Sequence, residues 1–265
     1  MKRACLLLFG VVLVTVSRAF SAGLAHNENF IVLAPDQPLA EIVLAQADDF
    51  RRTVALDWFG AELETGKDPT MVHVELSTAR DAGLTWPIDS PDRKYHTVWL
   101  TTSADRAVGS TLHHEIAHIV LATRFRNRLP WWAEEGIASQ YDDAERKQTR
   151  QRLLAQFAQS GKWPSIDAIL EGRIFAPDDE PAYAIAVSIT DFLLTQGDRN
   201  TFLALAADGP SKGWPTALRE HYGLASFDVL EARWKAWLRR GPTAQVAHNA
   251  QGGSRSTARG LPPLR

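Results

Sequence analysis

The sequence predicts an α+β fold: a small mixed N-terminal sheet with helices, followed by a mainly helical C-terminal lobe. Three observations carry this. Every stretch with strand-like alternation lies before Ser103, and helical apolar spacing dominates from Ser110 onward. The 265 residues, 45% hydrophobic and 23% charged, have an ordinary globular composition with enough apolar material for a sizeable core. One folded unit is expected over residues 26–240, with an N-lobe at about 26–126 and a helical C-lobe at about 127–240.

The chain begins MKRACLLLFGVVLVTVSRAFSAGLA: a basic start at Lys2 and Arg3, an apolar run from Ala4 to Val16, then small residues. This is the pattern of a secretory signal peptide, so the protein is expected to be exported to the periplasm, cell envelope or exterior. Cleavage after Ala19 and after Ala25 both fit, and Ala25, which gives a signal of residues 1–25, is preferred. The run is short for a membrane span, and no later segment is apolar enough for one. Removing residues 1–25 takes away three positive charges, moving the net charge from −2 to −5. It also removes Cys5, the only cysteine, so any metal ligands must be His and carboxylate, the set typical of open catalytic zinc sites. Nothing in the charge pattern points to nucleic acid.

Asn27 to Ala34 reads as a strand ended by Pro35. Leu39 to Phe59 carries Val43, Ala47, Phe50, Val54 and Trp58 at helical spacing and stops at Gly60. Val72 to Leu76 alternates as a strand does, with His73 facing solvent. Residues 78–94, rich in Asp, Gly, Pro and Thr, read as a loop. Tyr95 to Thr102 is a third strand leading into the central stretch.

That stretch, STLHHEIAHIVLATRFRNRLPWWAEEGIASQY from Ser110 to Tyr141, carries the chemistry. Ser110 is the favoured helix cap, with Ser103 as the alternative. His114 and His118, at i and i+4 of one helix, reach one metal ion, while Glu115 stands about 100° around the helix beside a bound water. An open zinc site takes a third protein ligand. If the chain turns back through 127–130 and starts a second, antiparallel helix at Pro130, either Glu135 or Glu134 comes alongside the histidines, and composition alone does not choose between them. His113 points elsewhere and is structural. Arg124, Arg126 and Arg128 form a solvated cap at the helix end.

Further along, Ala144 to Ser160 is a helix with Arg146, Lys147, Arg150 and Arg152 on a solvated face, ending at Gly161. Pro181 to Gln196 is a buried helix, and residues 198–239 hold two or three short ones, with Phe227, Leu230, Trp234 and Trp237 closing the core. The tail 241–265, rich in Gly, Pro, Ala and Ser, is expected to be disordered.

HEIAH followed by PWWAEEGIA resembles the gluzincin metallopeptidases, and in particular the peptidase MA-like group, with its HExxH and P-x-W-x-x-E-G-x-A. The resemblance extends to Tyr183–Ser188 (Y-A-x-A-x-S) and Glu231–Trp234 (E-x-x-W). It implies a zincin-like fold and one Zn2+ held by His114, His118 and Glu135, favouring Glu135 over Glu134. It also implies Glu115 as general base for water attacking a peptide bond, and a tyrosine or histidine of the second lobe to stabilise the oxyanion: Tyr183 first, then Tyr141, His221 and Tyr222. A substrate backbone would pair with Thr97–Thr101. The chain departs from thermolysin itself, which places an aspartate four residues after the ligand glutamate, where Ser139 stands here. The expected function is an exported zinc-dependent metallopeptidase acting on peptides or proteins. The rival functions are a non-catalytic binding or scaffold protein and a hydrolase of non-peptide amides.

Overall fold

Five strands assemble one mixed sheet in a computed structural model that describes residues 22–89, 94–126, 128–172 and 179–252. They are β1 (Gly23–His26), β2 (Phe30–Ala34), β3 (Thr70–Leu76), β4 (Ala82–Asp89) and β5 (Lys94–Thr102), in the order β1-β2-β3-β5-β4. β2, β3 and β5 run parallel, and β1 and β4 are antiparallel edges. Period-2 burial puts Phe30, Val32, Val72, Val74, Val98 and Leu100 on the inner face. There they meet α1 (Gln37–Phe59) and α2 (Ser110–Phe125).

Local chemistry sets the ends of α1. Asp36 accepts a hydrogen bond from the Leu39 amide, and Gly60 takes the left-handed conformation, φ 69°, that closes the helix. In α2 the cap is Gly109, and the expected cap Ser110 is the first helical residue, its hydroxyl donating to Asp143.

Three expectations are corrected. The segment read as a loop at 78–94 contains β4: Gly83 and Pro87, which argue against an interior strand, are tolerated on an edge that, among the described residues, is paired on one side only. β5 lies between β3 and β4, so both its edges are taken and Thr97–Thr101 has no edge for a substrate backbone. The strand read from Asn27 begins only at Phe30, because Asn27 folds into a turn and its Oδ1 accepts from the amides of Asn29 and Phe30. The residues preceding that turn form β1, with Ala25 buried in the core; a cut after Ala25 would remove Gly23, Leu24 and Ala25 from this strand, and a cut after Ala19 leaves it whole. Residues 1–21 lie outside the described residues.

The rest of the fold is helical: α3 (Trp131–Ala138) with a 3-10 turn at Ser139–Tyr141, α4 (Ala144–Ser160), α5 (Ile166–Leu170), α6 (Glu180–Gln196), α7 (Arg199–Lys212), α8 (Trp214–Tyr222) and α9 (Phe227–Gly252). The backbone breaks helical geometry at Gly241 and then resumes it to Gly252, in the stretch expected to be disordered. An Ala- and Gln-containing run behind Pro242 favours that. Residues 253–265 lie outside the described residues. Among the described residues no helix is long and apolar enough to cross a membrane.

α6 is the buried axis of the second lobe, with ten buried residues from Ala182 to Leu193. α3 packs on it closely at Gly136, where an added Cβ would meet Thr190 Oγ1 at 1.9 Å. α9 closes it from the other side, with the fully buried Trp234 donating from Nε1 to Ser188 Oγ at 3.0 Å. Trp234→Phe leaves that hydroxyl unpaired and a small void, so unfolding free energy is expected to fall by about 1–3 kcal/mol, read as a lower denaturant midpoint at unchanged slope.

Candidate metal centre

α2 presents His114 and His118 one turn apart on the side facing α3. Their Nε2 atoms lie 3.2 Å apart. α3 brings Glu135 between them, with Oε2 3.6 Å from His114 Nε2 and Oε1 3.6 Å from His118 Nε2. Ligands placed tetrahedrally at about 2.0–2.1 Å from a zinc ion stand about 3.3 Å from each other, so this spacing fits one ion. Glu134, next on α3, does not join the group. One other cluster among the described residues, Asp208, Glu220 and His221, already holds a cation: Lys212 Nζ lies 2.9 Å from both Asp208 and Glu220.

The electrostatics also ask for a positive charge here. Burial opposes protonation of His114, but its hydrogen bonds with Asp142 and Glu135, and their charges, outweigh burial and push its pKa up to about 10. Burial holds His118 below its ordinary range. Burial would raise Glu135, yet His118 and His114 hold it low. Where a metal binds, it replaces the proton between these groups.

A carboxylate orients the first histidine. His114 Nδ1 lies 3.0 Å from Asp142 Oδ1, a contact that fixes Nδ1 as the protonated nitrogen and leaves Nε2 to face the ligand position. Asp142 is held at about 2, with burial overridden by His114 and Arg150, and Arg150 Nη1 donates to its Oδ2 at 2.7 Å. Arg146 donates to the Asp81 carbonyl and to Thr111 Oγ1. Arg146 and Arg150, expected on a solvated face, therefore turn into the site. Asp142, seven residues after Glu135, supplies this carboxylate from the end of the 3-10 turn.

Glu115 is buried and fixed by β4. Thr85 Oγ1 donates to its Oε2 at 2.6 Å, and Gly83 lies so close that a Cβ there would meet Oε1 at 2.4 Å. Neither residue was singled out from the sequence; a glycine and a threonine in a presumed loop carry no signal until the strand is seen. Two cavities of about 670 and 510 Å³ open on the site, and Gly83, His114, Glu115, Glu135 and Tyr183 line both. The first continues past Asp81, Arg106, Arg146 and Arg150. The second continues past Leu84, Leu129, Trp131 and Glu134.

Of the four candidate oxyanion donors, only Tyr183 reaches these cavities. Its ring packs edge-on against Trp131 at 5.8 Å, and burial, with the charges of Glu135 and Glu115, holds its hydroxyl pKa well above the usual tyrosine value, so it stays a donor. Tyr141 donates to Asp57 at 3.1 Å, His221 meets Asp208, and Tyr222 lies apart from both cavities. His113 stacks flat on Phe50 at 3.9 Å, and burial lowers its pKa to about 4. Glu134 is pushed up to about 7 by burial and by the neighbouring charge of Glu135.

No protein-family model, curated protein or solved structure matches the chain.

Metal analysis after dialysis against zinc separates the two glutamates. Glu135→Ala is expected to lose bound zinc and Glu134→Ala to keep one ion per chain. Asp142→Asn is expected to weaken zinc affinity by about 10- to 100-fold, since His114 loses the group that orients it.

Proposed function

We propose that the protein is a zinc-dependent metallopeptidase with a zincin-like fold, secreted behind its N-terminal leader and hydrolysing peptide bonds. One observation carries the reading: three ligand atoms, from His114, His118 and Glu135, face one point within 4.8 Å of each other, with the Glu115 carboxylate beside them on the lining of the same cavities. The donor set suits zinc, with two imidazoles and a carboxylate and a place left for water and substrate. Zinc bound there supplies Lewis acidity toward the scissile carbonyl and makes water a nucleophile near neutral pH.

The chain's own residues do the rest. Glu115 takes the proton of the attacking water and passes it to the departing amine, and the Thr85 hydroxyl and Gly83 keep its carboxylate in one orientation for both transfers. Tyr183 donates its hydroxyl hydrogen to the oxygen that gains charge as the carbonyl is attacked. Asp142 and Arg150 hold His114 in register. The free edge of β4, whose residues Gly83, Leu84, Thr85 and Pro87 line the second cavity, suits an extended peptide backbone and favours a peptide over other amides.

Glu115→Gln on purified protein is expected to keep its zinc and lose at least about 100-fold in kcat against a peptide mixture; full zinc with undiminished hydrolysis would sink the assignment. Gly83→Ala is expected to keep zinc as well and to lose a comparable factor, because the added methyl group displaces the general base from β4.

A further inference from the structure

We infer that Glu134 sets substrate specificity: its cavity receives the cationic side chain of a lysine or arginine next to the scissile bond. The inference rests on the peptidase reading above and adds the class of peptide. Glu134 precedes the ligand Glu135 on α3, so its side chain leaves the helix about 100° away from the metal ligands. It lines the cavity of about 510 Å³ that shares Glu115, His114 and Tyr183 with the reaction site. A group bound beside Glu134 therefore shares a cavity with the proposed reaction site.

Among the described residues, no hydrogen bond or opposite charge reaches the Glu134 carboxylate. The charge of the adjacent Glu135 acts on it. Among the described residues no lysine or arginine lines this cavity, whereas Arg106, Arg146 and Arg150 all line the other one. A half-buried carboxylate without an ion-pair partner favours a cation beside it, and a ligand that brings one gains a charge-assisted hydrogen bond there. The remaining walls suit a basic side chain: Leu84, Ala122 and Leu129 offer apolar surface to its methylene stem, and Trp131 offers an aromatic ring to its charged end.

The probes are acetyl-Ala-Ala-Lys-Ala-Ala-amide and its twin with norleucine in place of lysine. Zinc-loaded protein carrying Glu115→Gln is expected to bind the lysine peptide about tenfold more tightly than its twin by titration calorimetry, and adding Glu134→Gln is expected to bring the ratio near one. The kcat/KM ratio of the two peptides on the protein with Glu115 intact follows the same pattern. Equal binding of the twins, or a lysine preference that survives Glu134→Gln, overturns the inference. Should the Glu134 variant fail to fold, as its zinc content will reveal, the ratio on Glu115→Gln alone decides. Selective binding that depends on Glu134, without any cleavage, upholds this inference and sinks the peptidase reading; cleavage of both peptides at equal rates does the reverse.

Discussion

Everything at the site depends on holding α3 against two partners at once. Its eight residues must present Glu135 to α2 while the opposite side lies against α6, and so short a helix has little stability of its own. Gly136 meets the second demand, since any side chain there would collide with Thr190. Fully buried Trp132 and Ile137 anchor the rest of the helix in the core. The position of Glu135 is thus set by packing in the helical lobe, and a shift of α6 would be felt directly there.

Electrostatics adds a second constraint. Removing several carboxylates and imidazoles from water costs free energy unless each finds a counter-charge or hydrogen bond. The chain Arg150–Asp142–His114 meets that requirement for one side of the site, and a cation held between His114, His118 and Glu135 would meet it for the middle. Arg146, bonded to the Asp81 carbonyl and to Thr111, ties α4 to the approach to β4 and to the start of α2. The arginines of α4 therefore tie the two lobes together beside His114 and Glu135.

What the sequence made legible follows from how local each signal is. His114, Glu115 and His118 lie within five residues of one helix, so periodicity alone places them on neighbouring faces. The stop signals at Gly60 and Gly161 act locally too, and both helices end there. The choice of Glu135 over Glu134 needed the resemblance, because the two differ only in which way α3 faces. Asp142 was missed because its partner His114 is 28 residues away and no periodicity relates a 3-10 turn to another helix. Arg146 and Arg150 misled because a charged stripe on a helix looks alike whether it meets water or a buried carboxylate. β4 was missed because Gly83 and Pro87 weaken the strand pattern, although β5 supplies the pairing that their own propensity does not.

β4 also shows why such residues belong there. An interior strand favours bulky β-branched side chains, but β4 lets a buried carboxylate lie almost on its backbone and, among the described residues, keeps one edge unpaired. Glycine at position 83 allows the first by having no side chain to occupy the place of Glu115. Pro87 and the antiparallel pairing to β5 alone allow the second, and Pro87 limits the ladder that another copy of the chain could build on that edge. The same two residues that conceal the strand from pattern reading are those by which it can carry Glu115 close against its backbone and keep its outer edge clear.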